Sequence, residues 1–419
     1  SSRLTLRHRF ARRGRNLSAD LNAGHTLREG TGAQRSRTES WLGTTTTRDT
    51  LDQRSTSNSV TNSFSTRVAY TEPLSRHFQA QALWNPSLTR SESDARTHRL
   101  DAITGAYVLP DSALSNSFEN RNRIQSGGLS VLYTRGLWKL LTSASYQSMR
   151  LRSEQTFPFS NTVDVSFDEV LPSMTLSGTF ANRRNLRLAW NTSTTAPTIS
   201  QLQNVVNNSN PLSLTAGNPN LRPTYNHTLS LRISEADPAR SRSRFLFGNL
   251  TRTSHPISNA TLTAPVHMVV DGIALARGTQ LTRPVNLGLE SWSANIFGVY
   301  SRPGGFLKSN LSFHGGGSFT RTPTLINEAT NIANNWSVRA GTTVASNISQ
   351  NLDFTLSYLG TYNFARSTLT TSSTGDYYAH NLGLRLNAVA GPGVVFRQEV
   401  SYNLQSGVPS AYGQDIVRC

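Results

Sequence analysis

The residues that could do chemistry here are few and scattered. His314-Gly315-Gly316-Gly317 has the composition of an esterase oxyanion segment. No Gly-x-Ser-x-Gly nucleophile elbow accompanies it, so these glycines read as a strand end or flexible loop. The nine histidines occur singly, with no His-Glu-x-x-His and no Cys/His cluster. The only cysteine is the final residue, Cys419, which leaves no internal disulfide or thiolate metal site. Asp164, Glu169, Glu290 and Asp353 stand apart from one another, and no phosphate-cradling glycine loop is present. The expectation is a chain with no catalytic residues, no metal and no cofactor.

Charge is the next chemical feature. The net charge is +17 with an isoelectric point near 10.9, and it comes from arginine, because lysine occurs only at Lys139 and Lys308. A basic chain suggests nucleic acid, but these arginines are dispersed and no DNA- or RNA-binding motif appears, so nucleic acid is not an expected partner. A genome favouring arginine over lysine is the simple account of the charge, and basic loops beside anionic lipid headgroups or ligands are the functional one. Arg187, Arg232 and Arg385 lie opposite apolar positions on strand-like runs, so they would face a polar interior. They are the candidate ligand-binding residues, with contact to an internal plug, or solvation alone, as the simpler role.

The elements carrying these residues are strands. At 419 residues the chain is only 36% hydrophobic, with mean hydropathy −0.39, too little oil for one large soluble core. Trp41, Trp84, Trp138, Trp190, Trp292 and Trp336 are nevertheless spread along it, unlike a disordered chain. Alternation of period two recurs, as at Leu352, Phe354, Leu356, Tyr358 against Asp353, Thr355, Ser357. It returns at Trp292–Tyr300, Trp336–Val344 and Leu382–Ala388, and no stretch reaches the roughly 20 apolar residues of a membrane helix.

The breaks alternate as well. Short connections fall at Ala11–Arg15, Thr71–Arg76, Arg135–Gly136, Ala181–Asn185, Glu235–Arg240, Arg302–Gly305, Asn347–Asn351 and Gly391–Gly393. Between them lie longer polar segments at His25–Val60, Asn85–Gln125, Asn191–Asn226 and Ser254–Pro284. Short turns at one rim and long loops at the other are the rhythm of an up-and-down transmembrane barrel. Closure satisfies every backbone group in lipid and permits a polar interior. Runs such as Ser291–Ser301 have the roughly 9–11 residues such a strand needs. Trp138, Trp190, Tyr300, Tyr358, Tyr362 and Tyr402 suit interfacial girdles. The expected fold is all-β: an antiparallel up-and-down transmembrane β-barrel of about sixteen strands, with short periplasmic turns and long extracellular loops. Residues 1–419 form that one domain. Ser1–Arg15 lacks a signal core and Asp415–Cys419 has no closing feature, so the barrel reads as incomplete at both ends, with no plug inside it.

One stretch adds a resemblance. Val170-Leu171-Pro172-Ser173 precedes a strand; Pro197-Thr198-Ile199-Ser200-Gln201-Leu202 follows the next; Gly217-Asn218-Pro219-Asn220-Leu221-Arg222-Pro223 precedes a third. In this order they resemble the barrels of TonB-dependent outer-membrane receptors, especially the Bacteroidetes-like outer-membrane β-barrel branch. The motif residues Pro172, Pro197, Gln201, Leu202, Gly217, Asn218, Pro219, Leu221 and Pro223 are expected to be structural. The resemblance implies a Gram-negative outer-membrane location, a barrel of 22 strands of which this is part, and uptake of a scarce nutrient such as a metal chelate, glycan or peptide. It also implies lipid contact, the TonB energy-transducing complex acting through a plug, and possible capping by a surface lipoprotein. A passive porin and a secreted β-rich adhesin are the alternatives.

Overall fold

The computed structural model describes all residues except 43–44, 102, 113–114, 181–182, 204–205, 208–211, 271–272, 306–307, 350, 370–375, 392, 408–415 and 419. Cys419 therefore lies outside the described residues. The wall is a meander. Its first half is β1 (Ser2–Arg9), β2 (Asn16–Leu42), β3 (Thr45–Pro73), β4 (Phe78–Leu100), the short β5 (Tyr107–Pro110), β6 (Asn116–Arg135), β7 (Trp138–Phe157), β8 (Asn161–Phe180) and β9 (Arg184–Thr195). The chain then makes α1 (Ile199–Leu202), β10 (Val206–Asn207) and β11 (Ser213–Ala216) before the wall resumes with β12 (Thr224–Asp237) and β13 (Arg242–Ser254). A second excursion holds β14 (Ile257–Thr263), β15 (Met268–Val270), β16 (Ile273–Leu275) and β17 (Gln280–Asn286). The wall ends with β18 (Ser291–Pro303), β19 (Ser309–Ile326), β20 (Ala329–Ser349), β21 (Leu352–Ser367), β22 (Tyr377–Ala390), β23 (Val394–Ser406) and β24 (Ile416–Arg418).

Apart from β5, which pairs only at the end of β4, every wall strand pairs antiparallel with the next wall strand in sequence. Among the described residues sixteen long strands and the fragment β24 make up this meander, and β5, β10, β11, β14 and β17 join it in one sheet of 22 strands. All eight expected short connections fall between paired strands. Two of the expected long segments are corrected. His25–Val60 is mostly ladder, since β2 and β3 run 27 and 29 residues and stay paired from Asn16↔Thr71 to Leu42↔Thr45. Asn85–Gln125 is likewise mostly strand, because β4 continues to Leu100 and β6 begins at Asn116. These stretches are polar on both faces, so alternation of hydrophobicity cannot reveal them. Ser, Thr and Arg still pair their backbones well when water wets both sides.

Register separates the faces. One cross-strand row reads Trp190, Leu229, Leu250, Ala294, Phe319, Trp336, Phe364. The neighbouring row of the opposite face reads Ala189, Ser230, Asn249, Asn295, Ser318, Ser337, Asn363. The apolar face is bare of protein: Leu129 is 69% exposed, Ile296 53% and Val338 52%. A patch of this extent needs a partner, and lipid is the one an all-β wall finds. Rings gather toward its margins, with Trp138 edge-on to Phe180 at 5.0 Å, Phe319 on Trp336 at 4.1 Å and Tyr362 on Tyr378 at 4.4 Å.

Candidate functional site

The polar face holds a run of cations. In register across the wall stand Lys139, Ser177, Arg187, Arg232, Phe247, Phe297, Gly316 and Arg339. Arg187 and Arg232 are direct cross-strand partners. Like charges placed opposite one another repel, which disfavours the pair unless an anion lies between them. None of Lys139, Arg187, Arg232 and Arg339 has a carboxylate within ion-pair distance among the described residues. Arg232 lies over the Phe245 ring at 5.4 Å and Arg339 over Phe297 at 5.4 Å, contacts that orient a guanidinium without neutralising it. A hollow of about 410 Å³ at the turn end of β7–β9 and β12 is bordered by Lys139, Ser177, Arg187 and Arg232.

The third candidate, Arg385, is elsewhere. It sits on β22 opposite Glu399 and donates to that carboxylate at 3.1 and 3.3 Å, so its charge is already engaged. Lys139 and Arg339 share the row of Arg187 and Arg232 but were not expected. The available signal was their polar-face parity; what was missing was the register that aligns separate strands.

Toward the loop end the polar face changes character. Ile124, Met149, Leu151, Val163, Val165 and Phe167 occupy polar-face positions, and a buried cluster forms where Leu202 and Leu221 seat on them. Leu202 is fully buried and Leu221 is 2% exposed. The β9–β12 connection therefore folds back over the inner face of β6–β8. Beneath it, Ser153 Oγ, Asn120 Oδ1 and Asn122 Oδ1 are buried with no hydrogen-bond partner among the described residues.

The motif residues build that fold-back. Thr198 caps α1 and Gln201 closes the capping box: Gln201 N–H donates to Thr198 Oγ1 at 3.3 Å, and Thr198 N–H donates to Gln201 Oε1 at 2.9 Å. Pro197 leads into this cap. Gly217 packs so closely that a Cβ would lie 2.0 Å from the Gln203 carbonyl oxygen. Asn218 N–H donates to the Gln201 carbonyl at 2.6 Å, its Oδ1 accepts from Asn220 N–H at 3.0 Å, and its Nδ2 donates to the Pro284 carbonyl at 3.1 Å. Pro219 starts the turn after Asn218, and Pro223, buried, delivers the chain to β12. Pro172 stands where the β8–β9 ladder stops, since pairing begins at Ser173↔Asn191, so its missing N–H costs no bond there. The Thr192 hydroxyl donates to its carbonyl at 2.8 Å.

The second excursion locks onto the first. β11 pairs parallel with β17, and Leu214, Ala216, Ala264, Leu275 and Leu281 form a second small core. Asn286 accepts from Arg222 N–H at 2.7 Å and donates to the Arg222 and His255 carbonyls at 3.0 and 2.9 Å. β14 pairs parallel with the end of β19 at Ala260↔Leu325 and Thr261↔Ile326. At the root, Arg252 donates to Glu290 and holds its carboxyl below the usual carboxylate range. The two connections and the β19 tip thus form one roof at the loop end. Within the expected long segment Asn191–Asn226, residues 204–205 and 208–211 lie outside the described residues, and the stretches on either side belong to this roof.

Residues 8–394 match the family described as the outer membrane protein beta-barrel family. Among solved structures, the hemophore receptor HasR of Serratia marcescens, in complex with its hemophore HasA and heme, superposes with TM-score 0.48 at 11% identity, over 93% of this chain and 72% of that one. The ferric enterobactin receptor PfeA of Pseudomonas aeruginosa gives 0.38 at 9% identity, over 96% and 74%. The siderophore receptor PirA of the same organism gives 0.37 at 13%, over 95% and 72%. No curated protein sequence matches the chain. The family match spans nearly the whole wall, and on it the chain belongs to the outer membrane protein β-barrel family, a non-enzymatic family of the Gram-negative outer membrane.

Proposed function

We propose that the chain is the barrel wall of a TonB-dependent receptor that takes up a scarce nutrient, a metal chelate, glycan or peptide. The observation that carries this reading is the roof. A passive pore gains from an open mouth, whereas here two long connections fold inward, build their own cores and interlock above the polar face. The ordered Pro172, Pro197–Leu202 and Gly217–Pro223 elements, which resemble those of TonB-dependent receptors, support it, since these residues shape and brace the roof. In this reading the roof meets the ligand. The Lys139–Arg187–Arg232–Arg339 row then faces either the anionic groups of the ligand or the carboxylates of a plug. TonB acts through that plug, and a surface lipoprotein is a further candidate partner above the roof.

The test is uptake by cells carrying the full-length gene, with radiolabelled ferric chelates, oligosaccharides and peptides as probes. Uptake of one probe class is expected, abolished in a strain lacking TonB and abolished again by deleting 203–216. Uptake that persists without TonB, with steady conductance in a planar bilayer, makes the protein a porin.

A further inference from the structure

The outward face at the turn end carries charge that the proposed transport does not use. Arg184, Glu235 and Arg244 are consecutive cross-strand partners on the same parity as Leu186, Ile233 and Leu246, one step past them toward the turns. They stand where the apolar band stops, at the depth of the lipid headgroups. The row continues into Tyr300, whose ring lies 5.4 Å from the Arg244 guanidinium. Trp138 and Phe180 form the neighbouring ring pair. Arg184, Glu235 and Arg244 border, with Arg183, Arg240 and Arg242, a hollow of about 410 Å³.

Its charge is unbalanced. Glu235 is shared by Arg184 at 2.8 Å and Arg244 at 3.7 Å, and Asp237 is met by Arg240 at 3.6 Å. Arg183 and Arg242 have no carboxylate within ion-pair distance among the described residues, so five arginines face two acids. The same depth near β1–β3 is arranged differently. There Arg12 and Arg15 both close on Glu72 at 2.7 Å and Tyr70 donates to that carboxylate at 2.6 Å, which leaves that cluster with fewer cations to offer.

We propose that the Arg183–Arg184–Arg240–Arg242–Arg244 hollow is a docking site for the phosphodiester headgroup of an anionic phospholipid in the periplasmic leaflet. Guanidinium forks match phosphate oxygens in pairs, and a phosphodiester supplies the missing negative charge where its acyl chains can lie on the apolar face. The site rests on the outer-membrane placement of the wall and is independent of TonB.

The experiment uses the full-length protein in nanodiscs of equal phosphatidylcholine and phosphatidylglycerol, with lipid retained after detergent washing counted by mass spectrometry. Retained phosphatidylglycerol is expected at several times phosphatidylcholine, and Arg183→Gln/Arg242→Gln is expected to return the ratio to that of the bulk. Neither residue has a carboxylate within ion-pair distance among the described residues, so their loss orphans no carboxylate there. Heat-modifiable gel migration checks that the variant is folded, with each single substitution as the fallback. Arg12→Gln, which removes one positive charge from the β1–β3 rim as each single substitution does from the hollow, is expected to leave the ratio unchanged. Equal retention of the two lipids, or an unchanged ratio in the double variant, overturns the proposal. So does displacement of the phosphatidylglycerol by millimolar inorganic phosphate, which would make this a free-anion site.

Discussion

The roof and the outer part of the long β2–β3 hairpin both stand beyond the membrane band, yet they are held by different forces. The hairpin is ladder. Its strands stay in register over their whole length, water reaches both faces of β2 over residues 25–35, and its side-chain bonds are local, such as His25 to Asn62 at 2.8 Å. The roof has little continuous ladder and is held by burial. Leu202 and Leu275 are fully buried, and Leu281 and Leu221 are 2% exposed. A ladder spreads its stability over many small, replaceable contributions, whereas a small core concentrates it in a few side chains. Single substitutions should therefore be felt in the roof and hardly at all in the hairpin.

The largest effect is expected at the roof's core. Leu202→Ala should destabilise the fold-back by about 2–5 kcal/mol, the usual range for a leucine cavity. Proteolysis of the α1–β11 segment in intact cells should accelerate while the wall keeps its heat-modifiable migration. Gly217→Val comes next, at about 1–3 kcal/mol, because its side chain meets the Gln203 carbonyl and overpacks the site. The same protection assay reads it, and behaviour like wild type would show that the contact relaxes freely. Thr198→Ala removes the cap of α1 and should cost about 1 kcal/mol. By contrast Thr61→Ala, which deletes a 2.9 Å bond to Ser91 in the hairpin system, should stay within about 0.5 kcal/mol. A larger loss there would mean that the hairpin, too, depends on particular side chains.

The smallest response is expected from pH. Arg252 holds Glu290 below the ordinary carboxylate range at the root of the roof. A depressed folded pKa adds stability that is fully present above the unfolded value of about 4.3 and is lost as pH falls through the folded one. Roof protection should thus be flat from pH 7 to 5 and decline only below that range. Glu290→Gln should flatten the acid limb in the same proteolysis assay.

Much of the wall was readable in the linear chain. The apolar face has period two, and the short turns carry Gly, Pro and Asn where strands must reverse, so alternation and punctuation together name a barrel. The long hairpin was not readable, because a strand wetted on both sides carries no hydrophobic rhythm. The parity change at Met149, Leu151 and Val163 was visible as apolar residues in polar-face positions. Without the fold-back of Leu202 and Leu221, nothing explained it.

The site divides in the same way. Sequence alone determined that Arg187, Arg232 and Arg385 belong to the polar face, since parity is a local property of one strand. Only the tertiary structure decided that Arg187 and Arg232 meet each other, that Lys139 and Arg339 join their row, and that Arg385 is spent on Glu399. The physical reason is register: each strand knows which side its residues face, but the stagger between strands, set by turns and ladders, determines which charges come together.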